Sequence, residues 1–157
     1  MNYSLGSKSR AELVGVHPDL VRVVERAIQL TRTDFTVHDG IRSVEEQRRY
    51  VAAGTSKTMR SKHLEGKAVD LVPWIDGKPR WWWVPIYDIA AAMLIAAREL
   101  DVRIRWGCVW DRPLNDLAAG INDPNAFADA LRREGLAYNA RHPGADFPDG
   151  PHFEVLP

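Results

Sequence analysis

His63 and Asp70 stand seven residues apart, and His152 follows Asp149 by three in Asp149-Gly150-Pro151-His152. Two imidazoles and one carboxylate are a common donor set for a catalytic zinc. Nitrogen and oxygen ligands bind at roughly 2.0–2.2 Å, and a fourth position stays open for water. A carboxylate outside the set is then a candidate general base, and Asp149 is the strongest because it lies one turn of chain from His152. Asp70 makes a demand of its own. Ala68 and Val72, two residues to either side, are apolar, so their face of the chain turns inward, where a lone carboxylate is costly. A metal would satisfy it, and so would a salt bridge to Arg42, Lys62 or Arg105. Spacing alone leaves both open, because the three residues do not form a short fingerprint of fixed local geometry.

The elements that must position these residues follow from periodicity and punctuation. Leu20, Val23, Val24, Ala27 and Ile28 share one face of a helix running to Leu30, with Pro18 near its start. Phe35 and Val37 share one face of a short strand that Gly40 ends. Ser43 and Glu46 have the spacing of a capping box, which predicts a helix from Val44 to Ala53 with Gly54 closing it. Thr55 to Lys62 reads as loop. Lys67 to Val72 reads as a strand closed by Pro73, with Ala68, Asp70 and Val72 on one face and Val69 and Leu71 on the other. After a turn at Gly77, Pro85 opens a long helix to Leu100 with Ile86, Ile89, Met93, Ala97 and Leu100 as its buried stripe. Arg103 to Trp106 is a further strand, Asp123-Pro124 caps a helix that Gly135 ends, and His152 to Val155 is the last strand. Helices and strands mix without βαβ alternation, so the class is α+β.

Composition narrows the function. The 157 residues fit one domain, and 45% hydrophobic with 27% charged residues is the balance of a globular protein. Lys plus Arg and Asp plus Glu are 21 each, so the basic excess of a nucleic-acid binder is missing. A single cysteine, Cys108, excludes an internal disulfide framework and a multi-thiolate zinc site; it reads as a small buried apolar residue. No apolar run is long enough to span a membrane, and the opening residues lack the apolar segment of a secretory signal. Cytoplasmic accumulation is therefore expected.

Ser61-x-His63-x-x-Gly66-x-Ala68-x-Asp70 resembles the signature of the zinc D,D-peptidase family, which includes D-Ala-D-Ala dipeptidases and carboxypeptidases and the L-alanyl-D-glutamate endopeptidases of bacteriophages. Gly40-Ile41-Arg42-Ser43 with Gln47, Trp106-Gly107…Trp110, and Asp149-Gly150-Pro151-His152-Phe153-Glu154 resemble three more of its blocks, in the family's order. Four ordered blocks across Phe35 to Val155 make a specific match. The resemblance implies a small antiparallel sheet flanked by helices, Hedgehog/DD-peptidase-like, occupying residues 1–157 as one zinc peptidase domain. It implies His63, Asp70 and His152 as zinc ligands. It implies Asp149 as the base that takes a proton from the attacking water and returns one to the leaving amine, Arg42 as the partner of the scissile carbonyl and its oxyanion, and Ser61 as a residue that positions substrate.

Two departures stand out. Cys108-Val109 replaces the Gly-Asp that many phage members carry between the tryptophans, and 38 residues separate Trp110 from Asp149. That longer stretch is expected to form a flap or wall over the groove. His17, His38 and His142 match no block and read as surface or capping residues. Trp81 to Trp83 read as anchors of the following helix, with glycan or peptide binding as the alternative. Glu154 shares the strand parity of His152 and reads equally as a hydrogen-bond partner of a ligand or as a structural ion pair.

The function expected from this resemblance is hydrolysis of peptidoglycan stem peptides at L-Ala–D-Glu by a monomeric phage endolysin that binds no nucleic acid, does not insert into a membrane, and reaches the periplasm and cell wall through a holin. The alternatives are a D-Ala-D-Ala carboxypeptidase or dipeptidase, and a zinc-stabilised wall-binding module without turnover. Pure structure would need neither Arg42 nor Asp149, which argues against the last.

Overall fold

The computed structural model describes residues 2–56, 58–142 and 148–157. Helices α1 (Ser7–Glu12) and α2 (Pro18–Leu30) precede strand β1 (Phe35–Asp39) and helix α3 (Val44–Ala52). A 3-10 turn at Lys62–Glu65 leads into β2 (Ala68–Ile75), which folds back on the two-residue β3 (Lys78–Pro79). Helix α4 (Trp83–Leu100), β4 (Ile104–Gly107), α5 (Phe127–Arg141) and β5 (Asp149–Val155) complete the chain. All strand pairs are antiparallel, in the order β1-β2-β5-β4, with β3 beside β2.

Side chains alternate across this sheet. Phe35, Val37, Val69, Leu71, Ile104, Trp106, Phe153 and Val155 form the buried core face. Helix α4 packs across it and is flanked by α2 and α5. The opposite face carries Asp70, His152, Glu154 and Arg105, brought abreast by the pairings Asp70↔His152 and Arg105↔Glu154. The sheet thus has one face for packing and one for polar chemistry.

Most predicted elements are present, and the differences have local causes. Pro73 lies inside β2 instead of closing it. It stands opposite Phe35, where the Trp74 amide donates to the Asp34 carbonyl, so the ladder to β1 does not need the missing N–H. The long helix begins at Trp83, two residues before Pro85, and Leu100 is only half-buried. Gly135 does not end α5, which runs on to Arg141 because Tyr138 is buried one turn later; Gly135 packs against Cys108. Ser43 caps α3 by accepting from the Glu46 amide at 3.1 Å, but the Glu46 carboxylate accepts from the Ser43 hydroxyl instead of from its amide. The last strand starts at Asp149, three residues earlier than predicted.

The segment after Trp110 is not a flap among the described residues. Phe127, Ala130, Leu131 and Tyr138 of α5 are buried in the core against α4. The part of this segment at 143–147 lies outside the described residues.

Candidate active site

The site is assembled at the ends of four segments. Gly66 terminates the 3-10 turn with φ +68°, and a Cβ there would sit 2.5 Å from the Gly15 carbonyl, so this reversal requires glycine. The Ser61 hydroxyl caps the same turn by accepting from the His63 amide at 3.2 Å. His63 is thereby held over β2, where Asp70 projects toward it, and β5 supplies His152 directly across from Asp70.

The three side chains converge. His63 Nε2 lies 3.2 Å and His152 Nδ1 3.4 Å from the same oxygen, Asp70 Oδ1. Ligand atoms of the three all fall within 4.8 Å of one another. Ligand atoms about 2.0–2.2 Å from a tetrahedral ion stand about 3.3–3.6 Å apart, so the observed spacing fits such an ion. The outer nitrogens are already committed. His63 Nδ1 donates to the Gly40 carbonyl at 2.8 Å, and His152 Nε2 to Glu154 Oε1 at 3.2 Å. Those bonds leave His63 Nε2 and His152 Nδ1 as the nitrogens that face Asp70, free to become metal donors when a cation replaces their contacts to the carboxylate, the usual support of a metal-binding histidine. The group could hold a metal ion, consistent with a metallopeptidase.

The electrostatics agree. Burial works against charge on Asp70, but hydrogen bonds from His152 and His63 hold its carboxyl far below the ordinary range. Burial likewise disfavours a charged His152, yet the bonds to Asp70 and Glu154 push it up to about 10. This cluster of acids therefore attracts a cation to the space between them, whether proton or metal. Asp149 behaves oppositely. Burial and then the charge of Asp70 raise it to about 6, close to the range suited to proton exchange at neutral pH.

Arg42 is buried, and its guanidinium is tied down. Nε and Nη2 donate to Asp39 Oδ2, Nη1 donates to Gln47 Oε1 at 2.6 Å, and Nη2 approaches Asp70 Oδ2 at 3.5 Å. The Tyr50 ring lies 4.3 Å beneath. Asp70 thus divides its oxygens, one toward the histidines and one toward Arg42. The salt-bridge reading of Asp70 and the metal reading are both accommodated, and Arg42 is the arginine that meets it. Three of the five guanidinium N–H groups donate hydrogen bonds, and Nη2 meets Asp70 only at ion-pair distance, so one Nη1 hydrogen has no acceptor among the described residues.

All six predicted site residues line one cavity of about 670 Å³. Residues at or around the cavity that support it had weaker signals in the sequence or none. Gln47 stands in the Gly40–Gln47 block, and its amide ties Arg42 to Ser56 and the Thr58 carbonyl. Trp110 lies against the His152 ring, centroids 5.4 Å apart. His38, expected at the surface, meets the edge of Trp81 at the cavity wall. Trp83 instead stacks on Tyr87 and packs at Gly150, as an anchor does. Gly107 earns its place in the Trp106-Gly107 block by proximity, since a Cβ there would lie 2.2 Å from the Asp149 carbonyl oxygen.

The family model of the phage L-alanyl-D-glutamate peptidase matches residues 1–123. The chain belongs to that family. It is 34% identical over 119 residues to the L-alanyl-D-glutamate peptidase of Escherichia phage T5, covering 71% of this chain and 84% of the relative. It is also 29% identical over 113 residues to the L-alanyl-D-glutamate peptidase of Listeria phage A118, covering 72% of this chain but 39% of that longer protein. The crystal structure of the L-Ala D-Glu endopeptidase ChiX from Serratia marcescens superimposes with a TM-score of 0.70 at 33% identity, over 99% of this chain and 91% of that one. That match carries the family resemblance past residue 123 through β5, where Asp149 and His152 reside.

Proposed function

We propose that this member of the family is a zinc-dependent peptidoglycan endopeptidase that hydrolyses the L-Ala–D-Glu bond of the stem peptide. The observation that carries the reading is the convergence of His63 Nε2, His152 Nδ1 and Asp70 Oδ1 inside the cavity, with both outer imidazole nitrogens already hydrogen-bonded. Family membership supplies the substrate. Nitrogen and carboxylate donors without thiolate suit zinc, and a bound zinc lowers the pKa of water to about 7 and polarises a carbonyl.

The remaining work falls to the chain's own side chains. Asp149 accepts the proton of the attacking water and passes one to the amine that leaves. Its burial and the neighbouring Asp70 charge raise its proton affinity toward neutrality, which helps the second step as much as the first. Arg42 offers its free Nη1 hydrogen to the scissile carbonyl oxygen and holds Asp70 in register. Ser61 acts through the cap that sets His63 and stands at the cavity wall, where it contacts substrate.

No helix among the described residues is long and apolar enough to cross a membrane. In our reading the protein works as a monomer on the wall, as a phage endolysin released by a holin. Mass spectrometry of muropeptides after digestion tests the reaction. New glutamate amino termini, lost with a chelator and restored by zinc, are expected; release of terminal D-Ala would instead indicate a carboxypeptidase.

A further inference from the structure

Two of the arginines that line the cavity, Arg42 and Arg105, are held very differently. Arg42 has 7% of its side chain exposed and is bonded to Asp39 and Gln47. Arg105, on β4, has 34% of its side chain exposed. Its nearest ion-pair contact, to Glu154 Oε2, is long at 3.8 Å, and its Nε is buried with no hydrogen-bond partner among the described residues. A buried donor left unmade is costly, so a ligand that completes this guanidinium gains what the protein does not supply. Turning Arg105 toward a ligand sacrifices one weak contact, whereas turning Arg42 would break several strong ones.

The other cations at the cavity are less suited. Lys62 pairs with Glu65 at 3.3 Å, and Arg60 is exposed at the rim. Arg105 stands across from Glu154, which itself bonds the candidate ligand His152, and it lines the same cavity as His63, Asp70, Asp149 and His152. A glutamate acylated at its nitrogen, and continuing the chain through one carboxyl, keeps its other carboxylate within a few bonds of the scissile nitrogen. That group must enter this cavity. A guanidinium fork matches a carboxylate by two parallel N–H bonds.

We infer that Arg105 is a specificity-determining residue that receives the free carboxylate of the glutamate on the leaving side of the cut bond. The inference rests on the peptidase reading above.

The test uses the zinc-loaded full chain and two synthetic muropeptides, one with the free carboxylate and one with that group as a carboxamide. A charge-assisted hydrogen bond implies that the wild type prefers the carboxylate by roughly ten- to a hundredfold in kcat/KM. Arg105→Gln should lose that factor on the carboxylate substrate, mostly through KM, and leave the carboxamide rate and the zinc content unchanged. Arg105→Lys should restore part of the preference. Equal losses on both substrates, or loss of zinc, would show that Arg105 serves only to position Glu154 and would overturn the inference. A wild type that cleaves both alike overturns it too while leaving the peptidase reading intact. Cleavage of neither by the wild type defeats the peptidase reading itself.

Discussion

His152 and Phe153 are neighbours in β5 and do opposite things. Phe153 is fully buried on the core face beside Trp106 and Val69, while His152 turns to the polar face beside Asp70 and Glu154. The same alternation separates Leu71 from Asp70 one strand away. The strand period of two divides labour cleanly. One face stabilises the sheet by apolar burial against α4, and the other gathers like charges and directed lone pairs that packing alone would not favour. Substitutions on adjacent residues should therefore separate stability from chemistry.

The largest expected effect is on the polar face. His152→Ala should abolish both metal binding and turnover, since His63 and Asp70 alone cannot hold the ion, while circular dichroism remains native. Metal analysis beside a muropeptide release assay reads both. Asp149→Ala should retain the metal and lose turnover by about 10²–10⁴-fold, the range of general acid–base catalysis. Near-normal release by a well-folded Asp149 variant would mean that the proton acceptor lies elsewhere. Phe153→Ala should cost about 3–5 kcal/mol of stability, read by denaturant unfolding, while the protein that remains folded binds metal normally. Loss of metal without loss of stability in this variant would break the division between faces. The smallest effect belongs to Glu154→Gln, which keeps a hydrogen-bond acceptor for His152 but removes the charge. Metal affinity should fall by about 10–100-fold by competition titration, because outer partners of metal-binding histidines carry effects of that size.

The parity that underlies this comparison was legible in the sequence. Alternation puts Ala68, Asp70 and Val72 on one face and Val69 and Leu71 on the other, and only Val69 and Leu71 join the apolar core, although Ala68 and Val72 are equally buried beside Asp70. The ordered blocks located His63, Asp70, His152, Asp149 and Arg42, and the structure brings all five to one cavity. Register was not legible. Nothing local in β2 or β5 says that Asp70 faces His152, because pairing depends on long-range closure around α4. Asp39 was missed for the same reason, since a bulge in β1 turns it toward Arg42 after Val37. Gly135 carried a helix-stop signal that tertiary burial of Tyr138 overrides. The long stretch after Trp110 read as a flap because its length was visible and its apolar contact with α4 was not.

The central claim is that one cation sits among His63, Asp70 and His152. A crystal structure of the zinc-loaded protein, with anomalous scattering recorded across the zinc edge, tests it most directly. The account predicts one strong anomalous peak per chain, about 2.0–2.2 Å from His63 Nε2, His152 Nδ1 and an Asp70 oxygen. A zinc peak elsewhere in fully active protein, with these three side chains still bonded only to one another, would contradict it.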